Sequence, residues 1–82
     1  MHNRLHNLKF VVMDIRKSFG NKVKKFRLER GLSQESLALL ADLDRTYIPG
    51  IERGDRNVSI VVIEKLSKAL QIPINDFFDE TK

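Results

Sequence analysis

At 82 residues and 9.5 kDa the chain closes one hydrophobic core, since single domains commonly hold about 100–150 residues. Its 41% apolar and 32% charged residues, with four Gly and two Pro, exclude collagen-like and low-complexity chains, and the lack of cysteine excludes disulfides, Cys-ligated zinc and a thiol nucleophile. The net charge of +4 is uneven: residues 1–30 hold nine basic and two acidic side chains, residues 31–82 six and nine, so the N-terminal part suits a polyanion, either nucleic acid or an anionic membrane surface.

No apolar run approaches the roughly 18 residues a membrane span needs. The short stretch from Leu8 to Met13 is interrupted by Lys9 and followed by no small-residue cleavage pattern, so a cytoplasmic protein without a membrane partner is expected. Residues 1–13 read as a disordered N-terminal extension, because the segment is half polar, its apolar run Phe10-Val11-Val12 favours strand more than helix, and Met13 begins a second, more ordinary start. A short docked strand is the other reading. His2 and His6 stand four apart and could share a helical face, but no third ligand is near, and neither a metal nor another cofactor is expected.

From Asp14 the signals turn helical, and a domain over residues 14–79 is expected, with 80–82 as a tail. Asp14 can cap a first helix in which Ile15, Phe19, Val23 and Phe26 line one face and Gly31 marks the end. Its opposite face carries Lys17, Lys22, Lys24 and Lys25, a solvated face that adds long-range attraction to phosphate. Ser33 caps a second helix that turns Leu37, Ala38 and Ala41 inward and stops near Asp42. Asp44 caps a third, with Arg45-Thr46-Tyr47-Ile48 in its first turn and Gly54 at its end. The connection of about three residues between the second and third helices is that of a helix-turn-helix. Gly54-Asp55-Arg56-Asn57 reads as a turn, and Ser59 caps a fourth helix with Ile60, Ile63, Leu66, Ala69 and Leu70 on the core side. Pro73 stops it, and a last short helix starts from Asn75 and carries Phe77 and Phe78. The expectation is an all-α, five-helix, repressor-like domain. No nucleophile elbow, phosphate loop or pocketed carboxylate pair is present, so an enzyme is not expected.

Gly31-Leu32-Ser33-Gln34-Glu35, Leu37-Ala38, Tyr47-Ile48, Ile51-Glu52-Arg53-Gly54, Ala69-Leu70 and Phe77-Phe78 together resemble the XRE (phage Cro and repressor-like) helix-turn-helix family over about residues 15–78. Arg45 to Ile48, followed by Ile51 to Ser59, is most similar to the controller proteins of restriction-modification systems, although other XRE regulators can carry that pattern. The resemblance implies a transcriptional regulator that acts on its own and the endonuclease promoter. Such a dimer can activate by touching RNA polymerase and repress when a second dimer occupies an adjacent site. A prophage-type repressor or antitoxin is the second reading, and a helical interaction module that reads no DNA is the third.

The physics of reading DNA stands beside the resemblance. A major groove about 12 Å wide admits one helix, which presents donors from its N-terminal end to the base edges. Arg45 can pair with guanine O6 and N7, and Thr46 can meet a thymine methyl or an adenine edge; the alternative, less favoured by the surrounding motif, is a pair of ordinary solvated residues. Gln34, one residue after the cap of the second helix, is placed for a phosphate. Tyr47 either presents its hydroxyl to phosphate or packs its ring on the core. The resemblance adds Arg53, Arg56 and Asn57 as phosphate or base-edge contacts, while a plain turn accounts for them as well. It also implies a partly buried ion pair between Arg27 and Glu52.

Pro49 stands where the family usually places Ser, and Gly50 beside it has no side chain to read a base, so discrimination falls on Arg45, Thr46 and DNA shape. Leu39, Leu40, Val61 and Val62 are apolar where the family is commonly polar. Val61, Val62, Ile72, Ile74 and Phe78 form the expected interface of a two-fold homodimer, against the alternative of a larger intrachain core. A dimer places two reading helices in successive grooves about 34 Å apart, so the double-stranded operator should contain an inverted repeat.

Overall fold

The computed structural model describes residues 2–82, with side chains from Ile15 onward. Four helices, α1 (His2–Glu29), α2 (Gln34–Leu40), α3 (Tyr47–Arg53) and α4 (Ile60–Leu70), precede a 3-10 segment, Ile74–Phe78. The class is all-α, with no strand among the described residues. The expected fifth helix is the 3-10 segment. It has five residues after Pro73, which holds φ at −64° and donates no backbone hydrogen bond, too little chain to establish an α-helical ladder.

Short polar side chains set two of the starts. Ser33, with extended backbone, accepts from the Ser36 N–H at 3.0 Å, and Ser59 accepts from the Val62 N–H at 3.1 Å, each satisfying an otherwise unpaired first-turn donor. The first helix does not start at Asp14, because α1 already runs through that position. The spacing of Leu5, Leu8, Val12, Ile15 and Phe19 by three and four residues continues the helical period across Phe10-Val11-Val12, with no Gly or Pro to break it. The expectations for the side chains of residues 1–14, including the His2 and His6 reading, lie outside the described residues.

The third helix also starts elsewhere than expected, at Tyr47. The Asp44 carboxylate accepts from both the backbone N–H and the hydroxyl of Thr46, at 2.9 and 2.7 Å, and this local turn competes with helix formation at Arg45 and Thr46. The connection from α2 to α3 is therefore residues 41–46, longer than about three, and it includes Asp42 at φ 55°. α4 ends before Pro73 is reached: Gln71 adopts a left-handed conformation at φ 57° and its N–H returns to the carbonyls of Ser67 and Lys68.

The core draws Phe19, Val23 and Phe26 from α1, Leu37 and Ala38 from α2, Ile48 and Ile51 from α3, Leu66 and Leu70 from α4, with Ala41 and Phe77. Phe77 is fully buried with its ring centroid 5.0 Å from Phe19 and 6.0 Å from Phe26, so the 3-10 segment closes the bundle against α1. Burial of such a side chain is worth about 1.5–3 kcal/mol. Ile60 and Ile15, both expected inside, are exposed. Ile60 lies roughly a quarter turn off the face that Leu66 and Leu70 bury, and Ile15 sits one turn before the crossing at Phe19.

α1 and α3 pass backbone to backbone. A Cβ on Gly20 would stand 2.1 Å from the Ile51 carbonyl oxygen, so no larger residue fits that crossing. Gly54 ends α3 at φ 80° and packs beside Lys17, which ties the helix exit to α1 as well.

Candidate nucleic-acid interface

The interface is built outward from a buried ion pair. Arg27 Nε donates to Glu52 Oε2 at 2.6 Å and Nη2 to Oε1 at 3.0 Å, a two-point contact between α1 and α3 with side-chain exposures of 9% and 5%. Arg27 Nη1 donates to the Leu32 carbonyl at 2.7 Å, which holds the link into α2. Hydrogen bonding to Glu52 keeps the guanidinium charged and more basic than usual, against the burial that opposes its charge. Among the described residues, no buried side-chain nitrogen or oxygen lacks a partner.

Gln34 extends this network to the surface. Its Nε2 donates to Glu52 Oε1 at 3.1 Å, which commits one amide hydrogen of the half-buried side chain and leaves the other for a further acceptor. Gln34, Arg45, Thr46 and Pro49 line one open depression between α2 and α3, with Ser33, Glu35 and Arg27 completing its walls. Pro49 costs α3 little. It is the third residue of the helix, where backbone N–H groups have no partner within the helix. Arg45 extends from the turn and lies 3.4 Å from Glu35, a contact so exposed on both sides that it leaves the arginine free to move.

A second group lies along the other flank of α3. The Arg56 guanidinium stacks 4.5 Å from the centre of the Tyr47 ring, and Asn57 shares the same groove with Ile51, Val58, Ser59 and Val62. Tyr47 is half-buried, its ring both packed on the core and covered by Arg56. Gly50 lies against the same arginine: a Cβ there would stand 3.1 Å from Arg56 Nε, close enough to press on the stacked side chain. Arg53 belongs to neither group. It pairs with Asp55 at 2.8 Å, exposed at the exit of the helix.

Asp44 is the residue that sequence reasoning under-read. Counted as an ordinary helix cap, it instead fixes the turn before α3 through its two bonds from Thr46, and those bonds, with a smaller contribution from Arg45 and Arg56, hold its carboxyl below the usual aspartate range. The available signal was the Asp-x-Thr spacing, which permits such a local turn as readily as a cap. On the surface of α4 and the 3-10 segment, Val61, Ile74 and Phe78 are exposed, whereas Val62 and Ile72 are half-buried against the chain's own core. Among the described residues, no helix is long and apolar enough to cross a membrane.

A helix-turn-helix family profile matches residues 23–77. The chain is 53% identical over 68 residues to control protein C.MunI of a Mycoplasma species, covering 82% of this chain and 92% of the relative. Its fold is similar to the crystal structure of the restriction-modification controller protein C.AhdI from Aeromonas hydrophila, with a TM-score of 0.74 and 50% identity, covering 76% of this chain and 94% of that one. It is also similar to controller protein C.Esp1396I, crystallised as a tetramer in complex with its natural 35 base-pair operator, at a TM-score of 0.69 and 45% identity over 76% of this chain and 82% of that one. The match spans the elements that carry the buried ion pair and the depression in front of α3: the chain belongs to the helix-turn-helix family of DNA-binding transcription regulators, among the restriction-modification controller proteins.

Proposed function

We propose that two copies of this chain bind a double-stranded operator with an approximate inverted repeat and regulate the chain's own gene and a neighbouring endonuclease gene. The observation that carries the reading is the convergence of Gln34, Arg45 and Thr46 on one open depression, with α3 anchored behind it by Arg27 and Glu52. In this reading α3 enters the major groove, Arg45 reads a guanine, and Thr46 lies against the neighbouring base edge. The second amide hydrogen of Gln34 goes to a phosphate, and Tyr47, Arg53, Arg56 and Asn57 hold the backbone on the far side. Phosphate contacts fix the register; Arg45 and Thr46 supply the discrimination.

The exposed side chains of Val61, Ile74 and Phe78 support pairing of two chains through α4 and the 3-10 segment, with Val62 and Ile72 at its edge. The operator complex of C.Esp1396I, a tetramer, supports a second dimer beside the first. One dimer then contacts RNA polymerase and activates, and two adjacent dimers repress.

The test is a footprint on DNA upstream of the chain's own gene, followed by titration of that duplex and a scrambled one at several salt concentrations. Specific binding falls steeply with salt and requires Arg45. Equal affinity for the two duplexes would end the reading in favour of an interaction module. A protected site without two-fold symmetry would remove the dimer from it.

A further inference from the structure

The Thr46 hydroxyl has its proton already spoken for. Asp44 accepts from it at 2.7 Å and from the Thr46 backbone N–H at 2.9 Å. A carboxylate has only acceptors, so the hydroxyl must be the donor in that bond. The same two bonds hold the Asp44 carboxyl below the usual aspartate range, so this polarity holds at neutral pH. What remains of Thr46 on its open side is a pair of oxygen lone pairs and a methyl group. It lines the depression in front of α3 beside Arg45, whose guanidinium has donors only.

We propose that Thr46 is a one-way reader, its oxygen accepting a hydrogen bond from the exocyclic amine of an adenine or cytosine and rejecting the guanine or thymine edge at that place. The inference rests on the proposed reading of α3 as the groove-entering helix and adds Asp44 as a positioning residue. In the major groove, adenine N6 and cytosine N4 are donors, whereas guanine O6 and N7 and thymine O4 are acceptors. An acceptor held against an acceptor leaves both unpaired. Arg45 and Thr46, adjacent in sequence, therefore select base edges of opposite polarity. A threonine with a free hydroxyl could rotate its proton toward either kind of edge; Asp44 removes that choice.

The experiment selects duplexes from a random pool with the wild-type protein and with Thr46→Val, Asp44→Ala and Asp44→Asn. Thr46→Val keeps the shape and removes the oxygen, so the one half-site position that loses its preference marks the base served by Thr46. Each pair holds one major-groove amine, so the base served is the adenine or cytosine of the marked pair, on whichever strand it lies. Replacing that base by 2-aminopurine or pyrimidin-2-one, which removes the major-groove amine, weakens wild-type binding roughly tenfold, the scale of a single mismatch, and leaves Thr46→Val unaffected. Asp44→Ala broadens the same position to admit the inverted pair, which exchanges the places of amine and carbonyl, and Asp44→Asn, whose side-chain oxygen still accepts both bonds, restores the narrow preference.

Unchanged wild-type binding when the major-groove amine of the marked pair is removed overturns the proposal, and that result does not depend on how well the Asp44 variants fold. Uniform weakening of Asp44→Ala on every duplex, with its preferences unchanged, overturns it too, since a merely structural Asp44 behaves that way. If the wild-type protein enriches no sequence, the reading of α3 itself fails and the inference with it; enrichment with either of the first two results sinks the inference alone.

Discussion

The two ends of α3 are held by different physics. Its C-terminal half is dry: Ile51 is buried, its backbone touches α1 at Gly20, and Glu52 makes a two-point pair with Arg27 at 5% and 9% side-chain exposure. The N-terminal approach is wet: Arg45 and its neighbour Glu35 are exposed, and the turn is held by Asp44 and Thr46 at the surface. The dry end fixes where the helix points, and the wet end supplies the groups that point. Gln34 belongs to both, reaching from the open depression to Glu52.

The division can be broken most severely from the dry side. Glu52→Ala leaves the Arg27 charge buried without its partner, and unfolding by denaturant should show a loss of about 3–5 kcal/mol; a loss below about 1 kcal/mol would mean that the apolar core alone orients α3. Gly20→Ala drives a Cβ into the Ile51 carbonyl and should cost about 2–3 kcal/mol in the same measurement, with binding lost in proportion to folding. On the wet side, Arg45→Ala should leave stability within about 0.5 kcal/mol while weakening operator binding by about 1–3 kcal/mol, read by titration at fixed salt. If Arg45→Ala destabilised the fold as strongly as Glu52→Ala, the two ends would not be separable.

The smallest effect sharpens the contrast by pH. The folded carboxyl of Asp44 is more acidic than in the unfolded chain, so its contribution is complete above the ordinary aspartate range and is lost as pH falls through the lower folded value. Melting curves on acidification should therefore show a component that Asp44→Asn lacks. This group is fully exposed, so that component is slight beside the loss from Glu52→Ala.

The legible part of the fold follows the same line between dry and wet. Phe19, Val23, Phe26, Leu37, Leu66 and Leu70 announce themselves by helical spacing, and Ser33 and Ser59 by the chemistry of a cap, because burial and capping each require particular residue types at particular intervals. The start of α3 was not legible, since Asp44 suits a cap and a local turn equally, and only the position of Thr46 in space decides between them. The outward position of Ile60 was missed because its apolar type overrode its phase on α4. For the candidate site, residue types named Gln34, Arg45 and Thr46, but spacing alone could not foretell that Glu52 would hold both Arg27 and Gln34, nor that Arg56 would lie on Tyr47 while Arg53 turned to Asp55.

The vacant place beside Gly50 makes residues 50 and 56 rivals for one parcel of space. A methyl group at the first presses on the arginine at the second, which must shift by a few tenths of an ångström over the tyrosine beneath it. Variation at the two sites is thereby coupled: in a library randomised at both and sorted for function, side chains at 50 should be better tolerated where 56 is small.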